Sequence, residues 1–190
     1  MSSLKDNYGD SMDKFDYYFR VLERYDQYIN LANTKASNHI TLLGTLAIAA
    51  TALVGWGLNL DTTRNFIPNG AQTFLILTFI VYIICSLYWY LTCMAVIQPN
   101  TKGSKGSGIQ IKSSIFYGDV DTFSNFNDFK LLVDSRSEQE HFEDLINQIH
   151  VMAHITNQKF LDYKKVNKWV GISFVLLLVI LLVSIVIRLG

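Results

Sequence analysis

Two seams of apolar positions run along this chain, and each leads into a stretch with no charged side chain. Phe15, Tyr18, Leu22, Tyr25, Ile29, Ala32 and Ala36 recur at alternating spacings of 3 and 4, the spacing of a helix with one buried stripe. Phe142, Leu145, Ile149, Met152 and Thr156 repeat it and drift to Phe160 and Tyr163. Neither Pro nor Gly falls between Asp10 and Gly44 or from Ser137 to Val170. The pattern therefore predicts two long helices, from Met12 and from Ser137, each running on into an apolar stretch. Ser137-Glu138-Gln139-Glu140 marks the second start as a capping box, in which the Ser hydroxyl takes a backbone N–H and Glu140 reaches back. Residues 1–11 are polar and are expected to lie outside ordered structure.

Asp, Glu, Lys and Arg are absent from 36–60, 65–101 and 169–187. A hydrocarbon core about 30 Å thick takes roughly 20 apolar residues of helix to cross. Fifteen of the 19 residues in 169–187 are Val, Ile, Leu or Phe. Their insertion contributes at most about −5 to −9 kcal/mol, against roughly 3 kcal/mol for one central charge. The middle run exceeds one crossing, so its span is placed at Ala71–Ile97, with Pro68-Asn69-Gly70 as the turn before it. Ile40–Leu58 serves as the apolar core of the first span. The expected fold class is an all-α membrane protein. Its divisions are an N-terminal helix (1–38), spans at 39–60, 71–97 and 169–188, and a linker with a helical stalk or sensing region (98–168).

Between the second span and the second seam, Asn100–Gly108 (NTKGSKGSG) reads as a flexible connector. Ile109–Tyr117 alternates weakly and is expected to be a short strand or extended segment. Ser114–Asn127 is rich in aromatic and acidic residues.

Lys and Arg together equal Asp and Glu at 16 each, so net charge points to no nucleic-acid partner. The distribution of Lys and Arg sets orientation. Five lie up to Lys35 and nine from Gln98 to Lys168, but only Arg64 in the first interhelical loop and Arg188 in the tail. The N-terminus and the large loop are therefore expected on the cytoplasmic side. The first apolar run begins too late and is too long for a cleavable signal peptide. Cys85 and Cys93 both lie in the second span and read as small packing residues.

Catalytic chemistry has no clear carrier. Gly103–Gly108 lacks the Gly-Lys-Ser/Thr order of a phosphate-binding loop. His150 and His154 stand one turn apart, but no third metal ligand is evident; they read as a polar helix face or as contacts to an anionic ligand. Asp119 and Asp121 are a carboxylate pair or a solvated turn. No acid or base lies inside a span, which disfavours a proton relay there. Gly44, Ala47, Thr51 and Gly55 offer a face for close helix approach, within the molecule or between copies. No metal, cofactor or enzymatic activity is expected.

Three segments carry a resemblance. Arg24–Ser37 (RYDQYINLANTKAS) precedes the first span, Ser114–Val120 (SIFYGDV) follows the second, and Asp144–Ile149 with Ala153–Ile155 and Asn157–Phe160 lead into the third. In this order, from about residue 20 to the end, the chain resembles the transmembrane effectors of Pycsar, the pyrimidine-cyclase antiphage system of bacteria. The resemblance implies an effector of the bacterial inner membrane. It would sense cyclic CMP or cyclic UMP made by a partner cyclase and impair the membrane, causing abortive infection. A homo-oligomer is expected. The resemblance supplies no ligand site, and no cyclic-nucleotide β-roll is legible. Ligand chemistry suggests Asn33, Lys35, Asn157 and Lys159 for the phosphate, and Tyr28 or Phe160 for the base. The alternatives are a constitutive scaffold or cyclase anchor, and a membrane effector gated by a different nucleotide.

Overall fold

The computed structural model describes residues 2–58, 68–99 and 112–189, with side chains from residue 13 onward. Among these residues it has five α-helices and no strand: α1 (Ser2–Leu58), α2 (Gly70–Ile97), α3 (Tyr117–Val120), α4 (Phe126–Ser135) and α5 (Glu138–Leu189). Residues 61–67 of the first interhelical loop, the connector Asn100–Gly108 and residues 109–111 lie outside the described residues.

α1 and α5 each continue from their seam into an uncharged run, as the absence of Pro and Gly predicts. One expectation is corrected: helix already begins at Ser2, not near Met12. Extending an existing helix adds one hydrogen bond per residue fixed, so a polar segment without Pro can join it at little cost. α5 opens with the predicted cap. The Ser137 backbone N–H donates to Glu140 Oε2 at 2.7 Å, and the Glu140 N–H donates to Ser137 Oγ at 3.3 Å. α2 has a capping box of its own between Asn69 and Gln72, with bonds of 2.9 and 3.0 Å. α1, α2 and α5 are the three helices long and apolar enough to cross a membrane. In hydrocarbon a helix satisfies its backbone polar groups internally, which is why uncharged runs of this length take that form.

The chain divides into two compact units. The first is Met1–Leu31 with Pro99–Lys159. Here Phe15 and Tyr18 of α1 meet Phe142 of α5 edge-on, at 5.4 and 5.1 Å between ring centres. All three belong to the seams. The expected strand or extended segment at Ile109–Tyr117 is corrected over its described part. Ser113 Oγ accepts the N–H groups of Ile115 and Phe116 at 3.1 and 3.0 Å. That side chain closes a local turn, which competes with strand pairing. α4 is capped by Asn125, whose side chain accepts the Asp128 N–H at 3.0 Å.

The second unit is Ala32–Gln98 with Phe160–Gly190, and it holds two apolar clusters. One gathers Ala36 and Leu43 of α1, Trp89, Cys93 and Val96 of α2, and Val166 of α5. The other gathers Ala50, Val54, Leu75, Tyr82 and Ile180. The buried positions step by seven along each helix: 36, 43 and 50; 89, 82 and 75; 166, 173 and 180. The rising numbers of α1 and α5 from cluster to cluster make these two helices parallel and α2 antiparallel to both. α1 packs tightly at Gly57, where a Cβ would stand 2.9 Å from Leu75 Cδ2 and from Ser184 Oγ and 3.0 Å from Ser184 Cβ. Ser184 Oγ donates to the Leu53 carbonyl at 3.1 Å. Gly44 and Gly55 have nothing within 4 Å of a Cβ, so the small-residue face with Ala47 and Thr51 is not what closes the bundle.

Candidate functional site

The six residues singled out for ligand binding divide between the two units. In the first unit Tyr28 is exposed on α1, Asn157 is exposed on α5, and Lys159 is buried with an interaction partner. In the second unit Lys35 is exposed, Asn33 and Phe160 are half-buried, and Asn33 has a partner. Tyr28 and Lys35 are seven residues apart, so they share a face of α1 beside the seam. Lys159 is tied into the packing, because a cation of such low exposure persists only when paired.

Lys35 belongs to a cluster that spacing alone did not single out. Its Nζ lies over the Tyr163 ring at 5.9 Å. Tyr163 OH is 3.1 Å from His39 Nε2, and the His39 ring lies 6.0 Å edge-on to Trp89. One cation, two aromatic faces and an imidazole thus converge at the start of the uncharged runs. Tyr163 was visible as a seam position. His39 and Trp89 gave no periodic signal, since their pairing depends on which helices become neighbours.

The first unit holds a second polar constellation. Arg136 lies in extended backbone between α4 and α5. Its guanidinium donates to Asp144 Oδ2 at 2.9 Å, to Ser114 Oγ at 3.1 Å and to the Lys112 carbonyl. The Ser114 N–H and hydroxyl both donate to Asp144 Oδ2 at 2.7 Å. The two charged side chains are 6% and 7% exposed. Burial pushes the Asp144 carboxyl up, but hydrogen bonds from Ser113 and Ser114 and the Arg136 charge outweigh it. The carboxyl is held below its ordinary value. Asp119 accepts the Ser113 N–H at 3.0 Å, which ties it to the local turn, and Asp121 is exposed as the residue closing α3.

In the same unit, Lys14, Phe15, Glu138, Gln139 and Phe142 line a cleft of about 370 Å³. An ammonium, two ring edges, an amide and a carboxylate are groups able to hold a small polar aromatic molecule. His150 and His154 are both exposed on α5. Among the described residues no group of three or more His, Cys, Asp or Glu side chains is placed to hold a metal ion.

Residues 17–188 match the family model described as Pycsar effector protein domain. No curated protein and no solved structure matches the chain.

Proposed function

The chain belongs to the Pycsar effector protein domain family, and we propose that it is a ligand-gated effector of antiphage defence in the bacterial inner membrane. It senses a cyclic pyrimidine nucleotide, cyclic CMP or cyclic UMP, made on infection by a partner cyclase. It then impairs the membrane, and the cell dies before phage can spread. The family match over nearly the whole chain is the observation that carries this reading. Three helices able to cross a bilayer agree with it. We propose a non-enzymatic role, with spans at 39–60, 71–97 and 169–188. The N-terminus and residues 98–168 face the cytoplasm, following the Lys and Arg distribution.

A ligand can switch such a protein only through different affinity for two states. Lys35, with the Tyr163 ring beside it, offers the cation and aromatic face that a nucleotide monophosphate needs. Asn33 and Phe160 in the same unit are proposed as further ligand contacts; Tyr28, Asn157 and Lys159 of the first unit are proposed as ligand contacts in their own right, each to be tested singly. The cleft beside Lys14 supports a second location, because its volume suits a mononucleotide and it pairs an ammonium with aromatic edges. Self-association through the face of α1 that turns Gly44, Thr51 and Gly55 outward, with Ala47 half-buried beside them, is the proposed route to a homo-oligomer.

Binding of cyclic mononucleotides and cyclic dinucleotides to the detergent-purified protein tests the reading. Cyclic CMP or cyclic UMP should bind selectively. Lys35→Ala should weaken that affinity at least about tenfold, the scale of one lost charge-assisted contact. Selective binding of a cyclic dinucleotide would replace the reading with a different nucleotide signal, and no binding at all would favour a scaffold. Unchanged affinity in both Lys35→Ala and Lys159→Ala, with a loss in Lys14→Ala, would move the site to the cleft.

A further inference from the structure

The two apolar clusters of the second unit are separated by polar side chains. On α5 the buried step of seven runs Val166, Ser173, Ile180, and Ser173 is fully buried. On α2 the gap between Trp89 and Tyr82 is bridged by Ser86. The register of the two clusters places Ser86 and Ser173 in one layer, between the level of Trp89 with Val166 and that of Tyr82 with Ile180.

These polar atoms reach no neighbouring helix by a hydrogen bond; within α2 the Ser86 hydroxyl lies beside Tyr82 and the Trp89 indole beside the Cys93 thiol. Ser86 Oγ, Ser173 Oγ, Tyr82 OH and Trp89 Nε1 are buried without a well-formed hydrogen bond, and the last three side chains sit at 0%, 1% and 0% exposure. Hydroxyls in a helix normally donate back to the carbonyl four residues earlier. Others in this unit do so: Thr78 to Phe74 at 2.9 Å, Thr92 to Tyr88 at 2.7 Å and Thr51 to Ala47 at 2.8 Å. Ser184 instead reaches across to Leu53. Ser86 and Ser173 do neither. Beyond Trp89 the polar line continues to His39, whose Nδ1 is also unpartnered, and through His39 Nε2 to Tyr163 and Lys35.

Buried polar atoms with unfilled hydrogen-bonding capacity are sites for water when several converge, since one molecule can serve two to four of them. Within hydrocarbon no other solvent can serve them. We propose that the Ser86–Ser173 layer is a water-binding site inside the three-helix bundle, and that it is the start of the path by which the activated protein leaks ions. The first half of this inference stands by itself, and the second rests on the proposed function. The layer divides the apolar packing into two clusters, so the bundle opens there at a lower cost in buried apolar contact than at either cluster. Residues at and beside it present hydroxyl, indole and imidazole groups that can accompany a partly dehydrated ion.

Cysteine accessibility tests the site in the full chain, reconstituted in vesicles of phosphatidylethanolamine and phosphatidylglycerol, with Cys85→Ala and Cys93→Ala as background. Without nucleotide, Ser86→Cys and Ser173→Cys should react with a charged methanethiosulfonate about ten times faster than Ala50→Cys and Ile180→Cys, because only a hydrated thiol ionises. Equal, slow reaction at all four positions would overturn the water site. Potassium efflux from the same vesicles tests the path, using cyclic CMP and cyclic UMP in turn. Ser173→Leu, which joins the two apolar clusters, should cut nucleotide-triggered efflux about tenfold while the nucleotide still raises the melting temperature of the variant. The milder Ser86→Ala/Ser173→Ala pair, which keeps the side-chain volume, should fold as the parent does and lower efflux in the same direction. Efflux equal to wild type in both variants would overturn the path. A wild-type protein that stays tight with both nucleotides would overturn the proposed function instead, and the labelling rates would still decide the water site.

Discussion

Arg136 and Asp144 show how much one pair of side chains can decide. Both are almost fully buried, and each fills the other's hydrogen-bonding capacity together with Ser114 and the Lys112 carbonyl. Removing one partner strands a buried charge, which costs about 3–5 kcal/mol, whereas apolar replacement of both is often close to neutral. Arg136→Met and Asp144→Leu should each destabilise the first unit on that scale, and the double variant should recover much of the loss in chemical denaturation. The pair also sets an acid limit. The folded Asp144 carboxyl titrates below its unfolded value, so its contribution is fully present above the unfolded pKa and is lost as pH falls through the folded one. Thermal stability should fall at pH values below the ordinary carboxylate range, and that part of the fall should vanish in the double variant. At Gly57 the constraint is steric. A Cβ there meets Ser184 Cβ, which cannot swing away, and Leu75 Cδ2, which can. Gly57→Ala should cost about 1–3 kcal/mol in the melting of the second unit, whereas Gly44→Ala meets nothing and should be close to neutral.

The helices were legible to different depths. α1, α2 and α5 follow from uncharged length and from seams whose members are all buried or half-buried. The Ser137 capping box was legible because its two bonds lie within four residues. α4 was missed. Its signal was Asn125 three residues before Asp128, followed by Phe129, Leu132 and Val133 on one face, but ten residues surrounded by aromatics and acids do not stand out from a loop. The small-residue face of α1 was legible as a close-packing surface, yet its direction was not. The structure turns Gly44, Thr51 and Gly55 outward, so the same residues should matter only between copies. Gly55→Leu should leave monomer melting within about 0.5 kcal/mol but reduce cysteine or lysine crosslinking between copies in membranes. Unchanged crosslinking would assign the oligomer contact to another face.

At the scale of the molecule, the reading of a gated effector predicts silence without a signal. Expression of the protein alone should leave the membrane potential intact, and co-expression with an active pyrimidine cyclase should collapse it, followed with a potential-sensitive dye. Equal depolarisation in both cultures would show a constitutively toxic protein and remove the gate. The candidate ligand residues were less legible than the fold. Lys35 was found from its position near the first span, but its neighbour Tyr163 lies 128 residues away, and only helix pairing brings the two rings and the cation together. The Arg136 constellation draws on Lys112, Ser114 and Asp144, which share no spacing that marks them as one group. The sequence by itself determined a membrane protein of long helices, because the cost of a charge in hydrocarbon and the internal bonding of a helix are properties of each segment alone. Only the tertiary structure decided which glycine faces a neighbouring helix, which acid is buried against Arg136, and that Ser86 and Ser173 share a layer with no hydrogen bond to a neighbouring helix. Each of those depends on which faces meet, and that is settled by packing among helices that the chain holds far apart in sequence.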